Sequence, residues 1–281
     1  MLGVQQVDSR AYAHAYLLRT PEDLPKDFLV RAAEDGFRLG VFLPMDQFGG
    51  ANGLRFPARI LLLRENELIC ATHPSEGIDE VCIPKDQILQ LEAGQILLDM
   101  WVGLLTRQGS FHWPYAAHNA DVVGEFQQRL KDFLFSDVPS GLPPKARVLG
   151  VEPSRKVGHA EAEELLPDEK AFLRFCIAAP AEKRSTRKSL SLLKPGQECV
   201  VATHRRLLWI TDRQNGYAQP YGTIRRSAPL ASVSDVRLVR AAGERRVVLA
   251  LGHSVAWRIP VQERQEEEAR LFCSELRKWL R

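Results

Sequence analysis

The stretch LLLRENELICAT (residues 61–72) and the stretch VVATHRRLLWIT (200–211) superimpose without a gap. Each reads as three apolar residues, four mostly polar ones and a second apolar run, and a pattern that recurs within one chain constrains a fold more than any single segment. The short run Leu207, Leu208, Trp209, Ile210, apolar on consecutive positions and flanked by polar residues, predicts a strand covered on both faces. Arg64–Glu67 and Thr203–Arg206 then read as hairpin loops of four residues.

A second, longer match runs between FHWPYAAHNADVVGEFQQRLKDFL (111–134) and WRIPVQERQEEEARLFCSELRKWL (257–280), with Pro114 meeting Pro260. Phe126, Leu130, Phe133 and Leu134 meet Phe272, Leu276, Trp279 and Leu280. That spacing, i, i+4, i+7, i+8, lays one apolar stripe along a helix. Between the two matches lie VCIPKDQILQLEAG (81–94) and APLASVSDVRLVRAAG (228–243), each an apolar-Pro start, an alternating strand and a glycine. Each copy therefore reads as a succession of short antiparallel strands ending in an amphipathic helix. Burying four large side chains of such a helix is worth about 1.5 to 3 kcal/mol each, so it belongs to the core of its copy.

The motif T-x-x-R-L-L-W (Thr203, Arg206, Leu207, Leu208, Trp209), followed by P-L-A-S-V-S-D-V (229–236) and a terminal helix, resembles the pleckstrin-homology-like superfamily, particularly its GRAM and bacterial PH-like branches. The resemblance covers residues 195–281 best. The first copy has Arg64 and Glu67 where the motif has Thr and Arg, so its place rests on the internal duplication. The resemblance implies a mainly β (α+β) chain of two tandem PH-like antiparallel β-barrels, each of seven strands and closed by a C-terminal α-helix. The expected division is an N-terminal extension, partly helical, over 1–53, with membership of repeat 1 as its alternative, repeat 1 over 54–135, a Pro/Gly-containing linker over 136–165, and repeat 2 over 166–281.

The composition is that of a globular chain, 45% hydrophobic and 26% charged over 281 residues. Every apolar run is interrupted well short of the roughly 20 residues that cross a bilayer, so no transmembrane segment is expected. The first residues lack the basic start and apolar stretch of a secretory signal, which predicts a cytoplasmic location with the membrane surface as a peripheral option. Five cysteines without C-x-x-C spacing predict buried reduced thiols rather than a disulfide framework or a zinc site.

Chemistry-bearing motifs are sparse. The Gly-rich phosphate loops and the G-x-S-x-G elbow do not occur. Ser110 beside His112 lacks a placed acid, and His112 and His118 lack metal-ligand spacing. The acidic run HAEAEELLPDEK (159–170) reads as a solvated helix face, and Trp209, Trp257 and Trp279 as core residues rather than nucleobase platforms. No catalytic residue, metal or cofactor is expected, and nucleic acid is not an expected partner.

Charge is the remaining signal. The net charge of +3 conceals an asymmetry: residues 1–182 hold 18 Lys+Arg against 26 Asp+Glu, and residues 183–281 hold 20 against 9. In PH-like domains that bind phosphoinositides, basic residues of the first strands and their loop surround the phosphates. The resemblance thus points to Arg205, Arg206, Arg225 and Arg226 as an anion-binding set, guanidinium forks being suited to phosphate. The competing reading is that these arginines solubilise loops or pair with the acidic first repeat. The function expected is a non-enzymatic binding or assembly module with a protein or peptide partner, with anionic lipid and self-association as further options. The alternative is an enzyme with a site between the repeats.

Overall fold

The computed structural model describes residues 14–26, 28, 36–45, 56–73, 78–96, 99–136, 145–178, 196–214, 217–218, 222–241, 243–252 and 255–280. The expected extension over 1–53 lies outside the described residues at 1–13, 27, 29–35 and 46–53. The chain divides into two compact units, one comprising Met1–Ile88, Leu98–Met100 and Trp113–Leu134, the other Leu89–Leu97, Trp101–His112 and Phe135–Arg281.

The first unit is built on a five-stranded antiparallel sheet in the order β1 (Tyr16–Leu18), β2 (Leu39–Leu43), β3 (Ala58–Leu63), β4 (Glu67–His73), β5 (Asp79–Pro84). Leu18, Phe42, Ile60, Leu62 and Ile69 cluster with Phe28 on one face, as the alternation of strand side chains requires. Helix α1 (Ala120–Phe135) buries Val123, Phe126, Leu130 and Leu134, while Phe133 stays half-buried with the Lys85 ammonium 5.2 Å from its ring centre.

The second unit holds most of an eight-stranded sheet. Its strands are β6 (Ile88–Ile96), β7 (Asp99–Thr106), β8 (Ser110–Ala116), β9 (Arg147–Gly150), β10 (Ala171–Ala178), β11 (Gln197–Thr203), β12 (Arg206–Thr211) and β15 (Ile224–Pro229), in the order β8-β7-β6-β15-β12-β11-β10-β9. A two-strand ribbon, β13 (Arg213–Gln214) and β14 (Tyr217–Ala218), interrupts the sequence before β15. Strands β16 (Val233–Ala241), β17 (Glu244–Leu251) and β18 (Val255–Val261) form a separate antiparallel sheet.

Both faces of β12 are covered, as its unbroken apolar run predicts. Leu207 and Trp209 face the core shared with the β16–β18 sheet and helix α3 (Glu266–Arg277), while Leu208 and Ile210 face helix α2 (Arg155–Glu164) through Val157 and Ala160. Helix α3 buries Phe272 and Leu276 in the first of these cores. It ends at Arg277, and Trp279 packs from the turn beyond it, its ring 4.6 Å from that of Phe172.

The structure departs from the expectations at four points. Among the described residues no barrel closes: each strand has two edges, and β15 uses its second edge on β6, with Arg226 opposite Glu92 and Ser227 opposite Leu91. The connection before β12 is shorter than four residues, because Thr203 ends β11 and Arg206 opens β12. Cys176 and Cys199 are disulfide-bonded rather than reduced; they are direct partners across β10 and β11, with Cα atoms 4.1 Å apart. Strand register, which the spacing of cysteines in sequence does not reveal, brings them together. Part of the stretch read as linker, 136–165, is occupied by β9 and α2.

One regularity stands out in the element order. β3 and β4 begin at Ala58 and Glu67, β11 and β12 at Gln197 and Arg206, a constant separation of 139 residues. β5, β6 and β7 begin at Asp79, Ile88 and Asp99, and β15, β16 and β17 at Ile224, Val233 and Glu244, a constant separation of 145. Each series ends in three strands and a helix.

Candidate functional site

Thr203 organises the turn on which the arginines sit. Its hydroxyl oxygen accepts from the backbone N–H of Arg205 at 3.2 Å and of Arg206 at 3.0 Å, and its O–H donates to Glu169 Oε1 at 2.6 Å. A threonine at this position closes the hairpin with its own side chain, which accounts for the T-x-x-R spacing.

Arg206 is not a surface residue. Its side chain has no exposure, and neither does that of Glu169, which it meets with Nη2 to Oε2 at 2.7 Å and Nε to Oε1 at 3.0 Å. Nη2 also donates to the Glu164 carbonyl and Nη1 to Ser227 Oγ at 3.3 Å, while the guanidinium carbon lies 4.7 Å from the Phe135 ring centre. Burial pushes the Glu169 carboxyl up, but the Arg206 guanidinium, the Thr203 hydroxyl and the Leu166 N–H together outweigh it and hold the group below the usual carboxylate range. Arg206 is thus a core ion, fully engaged by its own chain.

The other three arginines are also paired. Arg205 donates to Asp168 and, through Nε, to His204 Nε2 at 3.1 Å. Arg225 reaches Glu163 Oε2 and Glu164 Oε1, both at 3.2 Å. Arg226 donates to Glu92 Oε2 at 2.6 Å and lies over Trp209, 4.7 Å from its ring centre. Consecutive residues of a strand point to opposite faces. Arg225 accordingly joins Arg205 and Arg206 against the segment 159–170, whereas Arg226 sits on the other face with Trp209. The structure brings three of the four together and leaves the fourth in a separate row, Trp209, Arg226, Glu92 and Trp101, in which Glu92 also accepts from the Trp101 indole at 2.9 Å.

The acidic run therefore supplies partners: Glu163, Glu164, Asp168 and Glu169 all bond an arginine of the second unit. Further arginines repeat the arrangement at α3, where Glu266 accepts from Arg240, Arg245 and Arg270. Of the acids that meet the four arginines, Glu92 lies in the expected first repeat, and Glu163, Glu164, Asp168 and Glu169 lie in the expected linker and second repeat.

Glu169 is hard to single out in sequence because its partner is 37 residues away, the one local signal being an acid that follows Leu166-Pro167 just before a strand. His118 stacks edge-on with His14 at 5.3 Å, and His112 lies 5.9 Å from the Trp101 ring. Among the described residues no group of three or more His, Cys, Asp or Glu is placed to hold a metal ion. A depression of about 730 Å³ in the first unit is lined by Phe37, Arg38, Arg64, Glu67 and Pro84, and by none of the four arginines.

No helix among the described residues is long and apolar enough to cross a membrane. No family model matches the chain, and no curated protein matches it closely enough to count as a relative.

Proposed function

We propose that this chain is a non-enzymatic binding or assembly module made of two PH-like repeats, and that it recognises polypeptide through a sheet edge. The recurrence of two strands at a separation of 139 residues and of three more at 145, each series closing on a further strand and a helix, supports the duplication. The observation that carries the binding mode is β5: among the described residues it ends its sheet, and Asp79, Glu80, Val81 and Cys82 are exposed in succession along it. An edge strand offers a row of unpaired backbone groups, and a polypeptide in extended form completes it by β-augmentation.

The anionic-surface reading draws less support from the arginines, since each already bonds a carboxylate beside it. Two measurements decide between the readings. Immobilised wild-type protein is expected to capture polypeptide from its source lysate in a manner lost on Val81→Lys, because a lysine on an edge strand blocks pairing. Flotation with vesicles rich in anionic lipid is expected to leave the protein at the bottom of the gradient. Vesicle binding abolished by Arg205→Glu would reinstate the basic face.

A further inference from the structure

The recurrence of elements makes one pairing informative about another. β15 recurs from β5, each six residues long and ending in proline, and β16 recurs from β6, each nine residues long. Within the chain β15 pairs with β6. The counterparts, β5 and β16, are both terminal strands of their sheets, and each pairs on one side alone among the described residues. Each copy of the chain thus shows the two halves of a pairing it already makes once.

We infer that β5 of one molecule pairs antiparallel with β16 of a second copy of this chain, in the register that β15 and β6 use. That inference rests on the proposed edge recognition and names its partner. In the internal pair the first residue of β15, Ile224, faces the seventh of β6, Gly94, and the third, Arg226, faces the fifth, Glu92. The same register sets Asp79 opposite Val239, Glu80 opposite Leu238, Val81 opposite Arg237 and Cys82 opposite Val236.

Charge supports the match, with its sign inverted. Internally the strand β15 is basic, with Arg225 and Arg226, and β6 supplies Glu92. Between copies β5 is acidic, with Asp79 and Glu80, and β16 supplies Arg237, which has Asp235 of its own strand 3.6 Å away, while Arg240 is held by Glu266. Asp79 lies diagonal to Arg237 on one face, within reach of a long side chain. Val81, 39% exposed, is covered by the aliphatic stem of Arg237. Helix α3 packs on the face of β16 that carries Val236, and among the described residues no strand pairs with its outer edge. Because the two edges differ, the contact is heterologous, and each molecule can engage two others.

Sedimentation velocity over a concentration series tests this on the full chain. Wild type is expected to self-associate. Val81→Lys, which sets a lysine against Arg237, and Arg237→Glu, which sets a glutamate against Asp79, are each expected to weaken association about tenfold or more. Both positions are exposed, and unchanged melting curves establish that the variants fold. The double variant Val81→Lys with Arg237→Glu places the two introduced charges opposite each other and is expected to recover association to about the wild-type level. A monomeric wild type, single variants that associate normally, or a double variant that stays dissociated would each overturn the inference. A monomeric wild type that still shows Val81-dependent capture from lysate would remove self-pairing and leave edge recognition standing.

Discussion

Arg206 and Glu169 face each other in the interior of the second unit, both without exposure, joined by three hydrogen bonds from one guanidinium to one carboxylate. Removing either partner leaves an uncompensated buried charge, whereas replacing both with apolar residues of similar volume removes the desolvation cost with the pair. Arg206→Met or Glu169→Leu alone is expected to lower unfolding free energy by about 3 to 5 kcal/mol, and the two together by far less. A double-mutant cycle in urea checks this, with additive single losses as the contrary result.

Acid should act on the same pair. The folded-state carboxyl of Glu169 lies below its ordinary 4.5, so its contribution is complete above about pH 4.5 and is lost as pH falls through the folded value. Urea midpoints measured from pH 7 down to pH 3 are expected to drop more steeply for wild type than for the variant lacking both residues.

Thiol chemistry separates the three free cysteines. Cys82 is exposed on β5, while Cys70 and Cys273 are buried, and desolvation pushes the Cys273 thiol up to about 11. Under native, non-reducing conditions an alkylating reagent is expected to modify Cys82 first and Cys273 only after unfolding. Mass spectrometry of the labelled chain reads the order directly. Burial and the neighbouring Glu67 and Glu80 also raise the Cys82 thiol, so its labelling rate should still be climbing at pH 9.

Trp279 lies beyond the end of α3 yet stacks against Phe172 in the core of the second unit. Trp279→Asp removes that contact and sets a carboxylate against an apolar wall, at a cost of about 3 kcal/mol or more. Loss of the cooperative melt of the second unit, followed by near-ultraviolet circular dichroism, is the expected outcome.

What the sequence shows and what it hides divide along range. The two-sided strand Leu207–Ile210 and the stripe of Phe272 and Leu276 are legible because they follow from local period. So is the recurrence of elements, whose separation between β3 and β11 matches that of the aligned segments. The burial of Arg206 is hidden because a charged residue next to a turn looks solvated until its partner is known, and Glu169 comes from the connection that precedes β10. Cys176 and Cys199 met for the same reason: register across β10 and β11 is a long-range property. The edge at β5 is hardest to see, since a terminal strand differs from an internal one only in what fails to lie beside it.

The adjacency of Arg225 and Arg226 bears on how β15 finds its place. Each arginine meets carboxylates on its own face, Glu163 and Glu164 on one side and Glu92 on the other. A slip of β15 by one residue would turn Arg225 towards Trp209 and Arg226 towards α2, and would carry Ala228 and Ser227 across with them. Two neighbouring cations with separate counterions thus act as an index mark: β15 locks against β6 and β12 in one alignment, and a mispaired chain announces itself by two stranded charges rather than one.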